Sequence, residues 1–376
     1  MRILLIEPYF GGSHAAWAEG YVEASSHEVD LLTLPARFWK WRMRGAAFTL
    51  AGQAEELVAE RGRPDLVLTS DMLDLPTFLG LTRHCIGQPA VALYMHENQI
   101  TYPPPPGTNI DHSYGFTNWL SAAASDLVLF NSQYHLEEFF SILPGLLGSL
   151  PDFTHVDAIP TVRARSEVLP VGIDLERLVG RPEPDGPLVV LWNQRWEYDK
   201  NPETFFQALY ALIDEGLEFQ VILAGENFRN TPAEFVDAEQ RLGNRLLHQG
   251  FSPPARYIEL LSRSDVVVST AHHEFFGVAV VEAIAAGAFP LLPRRLSYPG
   301  LIPNDYHQHC LYDDDEGLID RLRWAITHRS EVRSMAPELA TAMSRYGWSS
   351  LADRYDRRFA RLGRSVDDGF DGPPAR

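Results

Sequence analysis

Apolar residues follow two alternating patterns along most of the chain. Short runs that are apolar almost throughout alternate with longer segments in which apolar residues recur at helical spacing. Strands that are apolar on both faces are typical of parallel sheets covered by helices on both sides. The predicted strands are 2–7, 28–34, 64–69, 89–95 and 126–130 in the first half, and 187–193, 218–224, 245–249, 265–269 and 289–292 in the second. The pattern therefore predicts an α/β fold with two doubly wound parallel sheets.

One segment interrupts this alternation and indicates a domain boundary. Residues 143–165 are rich in Pro, Gly, Ser and Leu and show no clear period, so we expect them to be irregular. We predict a first domain over residues 1–165 and a second over 166–345. Residues 365–376 are polar and rich in glycine and proline, and we expect them to form a disordered tail.

The composition excludes several classes of protein. Hydrophobic residues make up 45% and charged residues 22% of the 376 positions, which is typical of globular domains and excludes a disordered or coiled-coil chain. The apolar runs are shorter than the roughly 18 residues needed to cross a bilayer, and Glu7 comes too early for a signal peptide. Two distant cysteines, Cys85 and Cys310, favour a reducing, cytoplasmic setting. A formal net charge of −18 argues against binding to bulk nucleic acid or anionic membranes.

Ligands of doubly wound sheets bind beyond the carboxyl ends of the strands, and with two such halves we expect the site in the cleft between them. The strongest candidate is the pair Glu274 and Glu282, eight positions apart around a predicted helix start. Phe276 and Gly277 would offer backbone N–H groups there to an anion or a hydroxyl. The alternative is that Glu274 caps the helix and Glu282 is solvated. A carboxylate flanked by Val281 and other apolar residues favours the functional interpretation.

Two cations follow the first strand of the second half. Arg195 and Lys200 could together neutralise a diphosphate, one as a planar fork and the other as a point charge. The alternative is a salt-bridged loop that uses Glu197 and Asp199. Lysine occurs at two positions among 32 basic residues, and its presence at Lys200 favours a function. We expect this loop, and the lysine with it, to be exposed.

Polar clusters also follow two strands of the first half. The turn Gly11, Gly12, Ser13 and His14 would let a phosphate or a sugar approach the backbone at a helix start. It lacks the GxGxxG spacing of nicotinamide-binding proteins. The second cluster consists of His96, Glu97, Asn98 and Gln99. Each cluster taken alone is as compatible with a loop that satisfies its own hydrogen bonds as with a binding site.

Together these segments resemble GT-B glycosyltransferases of the family 4 type. More narrowly, four segments are similar to the glycosyltransferase-like group that contains tRNA-queuosine α-mannosyltransferase; they are residues 7–14, 94–99, 192–200 and 272–277. The resemblance implies two Rossmann-like domains facing across a cleft, with the last helix, 346–364, completing the first domain. It also implies retaining transfer of mannose from GDP-mannose to the queuosine of a tRNA anticodon, without a metal or another cofactor.

The resemblance also implies roles for individual residues. Arg195 and Lys200 would bind the donor diphosphate, Glu282 the ribose hydroxyls and Glu274 the transferred sugar. His96 would lie near the anomeric centre, and backbone groups would contribute further donor contacts; these belong to Gly11, Gly12, Ser13, Phe276 and Gly277. Asp313–Asp315 match the Asp-x-Asp of metal-dependent sugar transferases, but they precede a predicted helix, and we interpret them as its cap.

A short basic segment carries the expectation of a tRNA partner. Residues 37–44 contain four cations, three aromatic residues and no acid; the cations are Arg37, Lys40, Arg42 and Arg44. Cations bind phosphates and aromatic rings stack on unpaired bases. We expect the segment to bind the acceptor together with His14, Glu97, Asn98 and Gln99. The alternative is a basic edge whose tryptophans pack on the sheet.

Two other functions remain compatible with these residues. One is a family 4-like transferase that uses another nucleotide sugar on a glycan, lipid or small-molecule acceptor. The other is an inactive GT-B protein that binds a nucleotide sugar, which the presence of Arg195, Lys200, Glu274 and Glu282 disfavours. The residues do not indicate an oligomeric state, and we expect no membrane partner.

Overall fold

The computed structural model describes residues 1–103, 107, 111–178, 186–225 and 233–368, with side chains up to residue 363. The chain divides into two compact units. The first comprises Met1–Ile173 and the segment from Trp348 onward, and the second is Asp174–Gly347.

The first unit is built on a parallel six-stranded sheet in the order β2-β1-β3-β4-β5-β6. Its strands are β1 Arg2–Phe10, β2 Glu28–Pro35, β3 Leu66–Ser70, β4 Ala90–Met95, β5 Leu127–Phe130 and β6 Ser166–Val168. The helices between them are α1 Gly12–Ala24, α2 Trp39–Arg61, α3 Leu75–Thr82, α4 His112–Ala124, α5 Gln133–Gly148 and α6 Ile159–Ala164. The strands β3, β4 and β5 are buried along their whole length, so both faces of the sheet are covered.

The second unit repeats this plan with the order β12-β11-β10-β7-β8-β9. Its strands are β7 Leu188–Trp192, β8 Phe219–Ala224, β9 Leu246–Gly250, β10 Val266–Val268, β11 Phe289–Pro293 and β12 Leu311–Tyr312. Its helices are α7 Pro202–Asp214, α8 Ala233–Leu242, α9 Pro254–Arg263, α10 Val278–Ala285, α11 Tyr298–Leu301, α12 His307–Cys310, α13 Asp315–Thr327 and α14 Arg329–Met343. The predicted α/β class with two doubly wound parallel sheets is confirmed.

The helix α15, Trp348–Asp368, belongs to the first unit. Its Asp356 accepts hydrogen bonds from α1 and the residues that follow it: Tyr21 hydroxyl at 3.0 Å, Ser25 hydroxyl at 2.7 Å, and Ser26 amide and hydroxyl at 2.7 and 2.6 Å. Trp348 packs so closely on Gly20 and Gly172 that a Cβ at either position would overlap its ring. Residues 365–368, which we expected in a disordered tail, continue the helix, and the rest of that prediction, 369–376, lies outside the described residues.

The segment 143–165 is helical for much of its length, contrary to the prediction that it is irregular. The helix α5 continues through Pro144, because Phe139, Leu143 and Leu147 form an apolar face in the core. The predicted boundary after residue 165 is too early, since β6 pairs with β5 and the first unit extends to Ile173.

The basic segment is also placed differently from the prediction. The helix expected over 46–61 begins at Trp39, so most of residues 37–44 form its first two turns rather than a connecting loop. Phe38 precedes the helix in the left-handed conformation, with φ 54°. The inner face of α2 buries Met43, Ala46 and Leu50.

Of the three aspartates at the start of α13, Asp314 is the helix cap, as we predicted. Asp314 accepts a hydrogen bond from the Gly317 amide at 2.8 Å and caps the helix. Across the ranges that the structure describes, no helix is both long enough and apolar enough to cross a membrane.

Candidate functional site

In the second unit, most of the predicted donor residues lie on two loops at the carboxyl end of the sheet. The loop after β7 carries Arg195 and Lys200, and the loop after β10 carries Glu274. The two loops are joined by the Thr270 hydroxyl, which donates to the carbonyl of Lys200 at 2.8 Å, and by the His272 amide, which donates to the carbonyl of Asp199 at 2.7 Å. The strands β7 and β10 are neighbours in the sheet, and this adjacency brings residues distant in sequence together.

Lys200 is buried, contrary to the expectation of an exposed loop, with 7% of its surface accessible. Its ammonium donates to the carbonyl of His273 at 2.8 Å and to Glu274 Oε2 at 3.3 Å, and it lies 3.1 Å from Asp199 Oδ2. Although burial opposes it, the carboxylates of Glu274 and Asp199 raise the pKa of Lys200. The lysine is therefore a fixed cation beneath the loop.

Glu274 is held in its ionised form by the same contacts. Burial would raise its pKa, but the Lys200 ammonium and the Phe276 amide outweigh burial and lower it. That amide donates to Glu274 Oε1 at 3.4 Å. Gly277 follows as the N-cap of α10, with φ 100°, a conformation that glycine adopts without strain.

Glu282 lies on α10 and is buried and fully engaged, which excludes the solvated alternative. Arg177 donates to Glu282 Oε1, and the Tyr257 hydroxyl donates to Oε2 at 3.1 Å. Asn193 Nδ2 in turn donates to the Tyr257 oxygen at 3.0 Å and to the carbonyl of Ala279 at 2.7 Å. Burial raises the pKa of Glu282, and Arg177 partly opposes the rise.

Arg195 presents its guanidinium near the surface, with 53% of the side chain exposed, 3.5 Å from Glu197. This ion pair is the contact expected in the alternative of a salt-bridged loop. The preceding residue fixes the loop, because Gln194 Nε2 donates to the Ser269 hydroxyl at 2.7 Å. A Cβ at Gly225 would lie 2.1 Å from the carbonyl oxygen of Gln194, so this close approach requires glycine.

In the first unit, the turn after β1 brings together Glu7 and His14. Glu7 is inaccessible, and its Oε2 lies 3.1 Å from His14 Nδ1, while Oε1 accepts from the Tyr9 amide at 2.8 Å. Although burial opposes it, the Glu7 carboxylate raises the pKa of His14 to about 9. Gly12 and Ser13 are exposed beside this pair, whereas Gly11 is partly covered by Ala36.

His96 lies against His14, with 4.2 Å between the ring centroids. Its amide donates to Asp71 Oδ1 at 2.8 Å, and its carbonyl accepts from Asn131 Nδ2 at 2.8 Å. The buried atoms His96 Nε2 and Asp71 Oδ2 have no hydrogen-bond partner among the residues that the structure describes. Burial and the neighbouring His14 lower the pKa of His96, and burial raises that of Asp71.

One group of described residues has the composition and spacing of metal ligands. Glu7, His14 and His96 offer ligand atoms that all lie within 4.8 Å of one another. Asp313–Asp315 form no such group among the described residues, and Asp314 is occupied as a helix cap.

The remaining acceptor candidates of the first unit differ in accessibility. Asn98 is fully buried, and its Oδ1 accepts from the amides of Ile100 and Thr101 at 3.0 Å each, so it shapes the turn. Gln99 Nε2 donates to Glu97 Oε1 at 2.8 Å. Glu97 is partly exposed, and its side chain is therefore more accessible than those of Asn98 and Gln99.

Three of the four cations of the basic segment contact neutral groups. Arg42 Nε donates to the carbonyl of Pro35 at 3.1 Å, and Arg44 donates to the Ser113 hydroxyl. Lys40 and Arg44 lie over the ring of Tyr114, 5.9 and 4.8 Å from its centroid. Arg37 is exposed. The segment thus belongs to the first unit as one basic surface.

Sequence reasoning missed Arg177, Tyr257, Glu7 and Asp71 as members of these clusters. Arg177 is 105 positions from its partner Glu282, and no local pattern relates them. A weak indication existed for Asp71 and Glu7, since both follow or end buried strands, as the predicted polar clusters do.

Comparison with known proteins gives a consistent result over both units. A family model described as tRNA-queuosine alpha-mannosyltransferase N-terminal matches residues 2–173, and one described as glycosyl transferases group 1 matches residues 179–347. The chain is 32% identical over 332 residues to tRNA-queuosine alpha-mannosyltransferase of Drosophila melanogaster, which covers 85% of this chain and 86% of the relative.

Two further similarities are more distant. The chain is 25% identical over 212 residues to GDP-mannose:cellobiosyl-diphosphopolyprenol alpha-mannosyltransferase of Xanthomonas campestris, over 53% of this chain and 54% of the relative. The solved structure of sucrose-phosphate synthase from Thermosynechococcus elongatus superimposes with a TM-score of 0.74 at 15% identity, covering 97% of this chain and 100% of that one. That similarity establishes the fold, which is GT-B.

Proposed function

Because the chain belongs to the tRNA-queuosine alpha-mannosyltransferase family and is a glycosyltransferase, we propose that it transfers mannose from GDP-mannose to the queuosine nucleoside of a tRNA anticodon in the cytoplasm. The name of the Drosophila relative supports the acceptor and the sugar. The name of the Xanthomonas relative supports GDP-mannose as the donor.

The observation that carries the proposal is the pair of joined loops that holds Lys200 against Glu274. In our proposal Arg195 contacts the donor diphosphate directly, because its guanidinium is exposed. Lys200 acts from below, as a buried cation that stabilises negative charge and fixes Glu274 for hydrogen bonding to hydroxyls of mannose. Glu282, oriented by Arg177 and Tyr257, accepts hydrogen bonds from the ribose hydroxyls.

In the proposed reaction the bond between mannose C1 and the β-phosphate oxygen breaks, and GDP leaves with the bonding electrons. The transition state has oxocarbenium character, and negative charge grows on the β-phosphate. Arg195, Lys200 and the N-terminus of α10 stabilise that charge, which is how preorganised cations and dipoles accelerate such steps. The acceptor hydroxyl attacks C1 on the face that GDP leaves, and its proton passes to the departing phosphate oxygen. The configuration at C1 is retained.

We assign the first unit to the acceptor and to the hydroxyls of the transferred sugar. His96 and His14 are adjacent imidazoles with polar neighbours, and we propose that they contact hydroxyls near the anomeric carbon. Glu97 and Gln99 would bind the acceptor, with Arg37, Lys40, Arg42 and Arg44 on the tRNA phosphates. The exposed Gly12 and Ser13 would contact the donor through their backbone.

The proposal is tested by incubating the purified chain with GDP-mannose and tRNA that either contains or lacks queuosine. Mass spectrometry of the digested nucleosides should show one added hexose on queuosine and none without it. UDP-glucose in place of GDP-mannose, and EDTA added to the complete reaction, serve as comparisons. Transfer from UDP-glucose in preference to GDP-mannose would refute the donor, and abolition by EDTA would refute the metal-free mechanism.

The role of the four cations has its own measurement. Neutralising Arg37, Lys40, Arg42 and Arg44 together should raise the KM for tRNA and leave GDP-mannose hydrolysis unchanged. Each lost phosphate contact should reduce the slope of log affinity against log salt by just under one. An unchanged slope would place the tRNA elsewhere on the protein.

A further inference from the structure

The aromatic residues near the start of α2 are unusually exposed for their size. Phe38, Trp41 and Phe48 have 79%, 63% and 75% of their surface accessible. Large aromatic side chains normally bury most of their area, and an exposed cluster of them indicates an interaction surface. Trp39, in contrast, packs on Tyr114 with 5.2 Å between the ring centroids. The alternative in which the tryptophans pack on the sheet therefore fails for Trp41, and Trp39 contacts a residue of α4.

Two of these exposed rings, those of Trp41 and Phe48, share one face of the helix, and Phe38 immediately precedes it. Positions 41, 44, 45 and 48 follow helical i, i+3, i+4 and i+7 spacing, so Trp41, Arg44 and Phe48 project to the same side. The opposite side carries Met43 and Leu50, which are buried in the core. Because the side with Met43 and Leu50 is buried in the core, the aromatic face of the helix points to solvent.

The orientation of Trp41 is fixed by Gly45, one turn further along. A Cβ at position 45 would lie 2.6 Å from Cζ2 and 2.7 Å from Cε2 of the tryptophan, so the indole lies against the helix backbone. Glycine inside a helix costs about 1 kcal/mol relative to alanine. At this position it gives the indole a flat support while leaving most of the ring accessible.

The charged residues that flank these rings in sequence are all cations. Arg37 precedes Phe38, and Lys40, Arg42 and Arg44 flank Trp41 in sequence. Asp111 adjoins them, because it accepts at 2.5 Å from the Ser113 hydroxyl to which Arg44 donates. The chain as a whole has a formal net charge of −18, so this surface is a local positive region on an acidic protein.

The surface also adjoins the polar residues of the first unit. Ala36 packs against Gly11, since a Cβ at Gly11 would lie 2.6 Å from the Ala36 Cβ. Arg37 and Phe38 follow Ala36 directly, and α2 starts one residue later. The aromatic face thus begins next to the turn that carries His14.

We propose that Phe38 and Trp41 form a stacking surface for unpaired bases of an RNA loop, whose phosphates are held by the flanking cations. This inference rests on the proposed function and specifies how the acceptor is bound. Every nucleobase has a π face, and stacking on an aromatic side chain contributes about 1–3 kcal/mol per base without requiring a particular sequence. Single-stranded loops present such bases, whereas duplex RNA does not. The alternation of cations and exposed rings matches that chemistry.

The test compares Trp41→Ala and Gly45→Ala with the wild type, using an anticodon stem-loop that contains queuosine. Both variants should raise the Kd for the stem-loop about 5–150-fold, the range that corresponds to 1–3 kcal/mol. Gly45→Ala is informative because it strengthens the helix while displacing the indole, so weaker binding cannot be attributed to unfolding. GDP-mannose hydrolysis without RNA should be unchanged. Phe251→Ala, which removes another exposed aromatic side chain, is the matched control and should bind like the wild type.

The outcomes separate this inference from the proposed function. If the wild type mannosylates tRNA while both variants bind the stem-loop normally, the stacking surface is refuted and the function stands. If the wild type modifies no tRNA, the function itself fails. If the variants lose binding to vesicles of anionic lipid and keep full RNA affinity, the surface binds membranes and our inference is wrong.

Discussion

Replacing Lys200 with methionine removes a buried cation and keeps most of the apolar side chain. Its ammonium is the partner of Asp199 and Glu274, at 3.1 and 3.3 Å, and both oxygens of Asp199 are buried. Breaking a buried ion pair from one side costs about 3–5 kcal/mol, because it leaves the opposite charge uncompensated. For a unit of this size that corresponds to a decrease in Tm of about 2–4 °C per kcal/mol. We therefore expect Lys200→Met to lower both stability and turnover.

The two effects are separated by restoring the charge balance. In the double variant with Asp199→Asn, one of the uncompensated carboxylates is gone, and we expect stability to recover by about 0.5–3 kcal/mol. Turnover should stay reduced by about 10²–10³, the usual cost of losing one preorganised contact to a developing charge. Urea unfolding followed by tryptophan fluorescence gives the stability, and GDP release gives the turnover.

The dependence on pH supplies a second check. Lys200 holds the pKa of Glu274 below its usual value, so the wild type has this stabilisation above the pKa of the unfolded state and loses it in acid. Without the lysine, burial raises the pKa of Glu274, and the variant gains stability relative to the wild type as the pH falls from 7 toward 4. A stability gap that is absent at pH 7, or constant across this range, would refute the reasoning.

Three further predictions concern other parts of the molecule. Tyr257→Phe removes a hydrogen bond to Glu282 and should weaken the binding of GDP about 5–10-fold, as measured by calorimetry. The affinity for a nucleotide that lacks both ribose hydroxyls should not change. Equal weakening for both nucleotides would exclude the ribose role. Gly225→Ala places a methyl group against the carbonyl of Gln194 and should also weaken the binding of GDP. An unchanged affinity for GDP would show that the loop adapts to the added methyl group. Asp356→Asn should destabilise by about 1–3 kcal/mol at pH 7. Since surrounding hydroxyls lower the pKa of Asp356 despite burial, thermal unfolding should show this cost vanishing in strong acid, and its persistence there would contradict us.

Much of the fold was predictable because the strands are nearly continuous apolar runs, a pattern that few other structures produce. The start of α2 was not, since residues 37–44 are polar and aromatic, and the helix begins there only because Met43 and Ala46 find a core to pack on. The continuation of α5 through Pro144 has the same cause. In both cases the local sequence disfavours a helix, and the burial of apolar side chains in the core outweighs that local preference.

The candidate site was predictable in its residue types and less so in their environment. Lys200 and Glu274 were identified from their positions after strands, but their contact follows from the adjacency of β7 and β10 in the sheet. Arg177 became visible only through its contact with Glu282. Charge neutralisation of this kind depends on pairs that are far apart along the chain, and a single sequence does not reveal them.

The return of the chain at Trp348 has a consequence for synthesis on the ribosome. The Trp348 amide donates to the carbonyl of Ile173 at 3.2 Å, so the second unit is inserted between two adjacent points of the first. The later unit is continuous in sequence and can fold as soon as it emerges, whereas the earlier one waits for α15 to cover Tyr21 and Tyr94. Domains usually fold from the N-terminus onward during translation. From this connectivity we expect the reverse order here, with the first unit completed only after α15 has been synthesised.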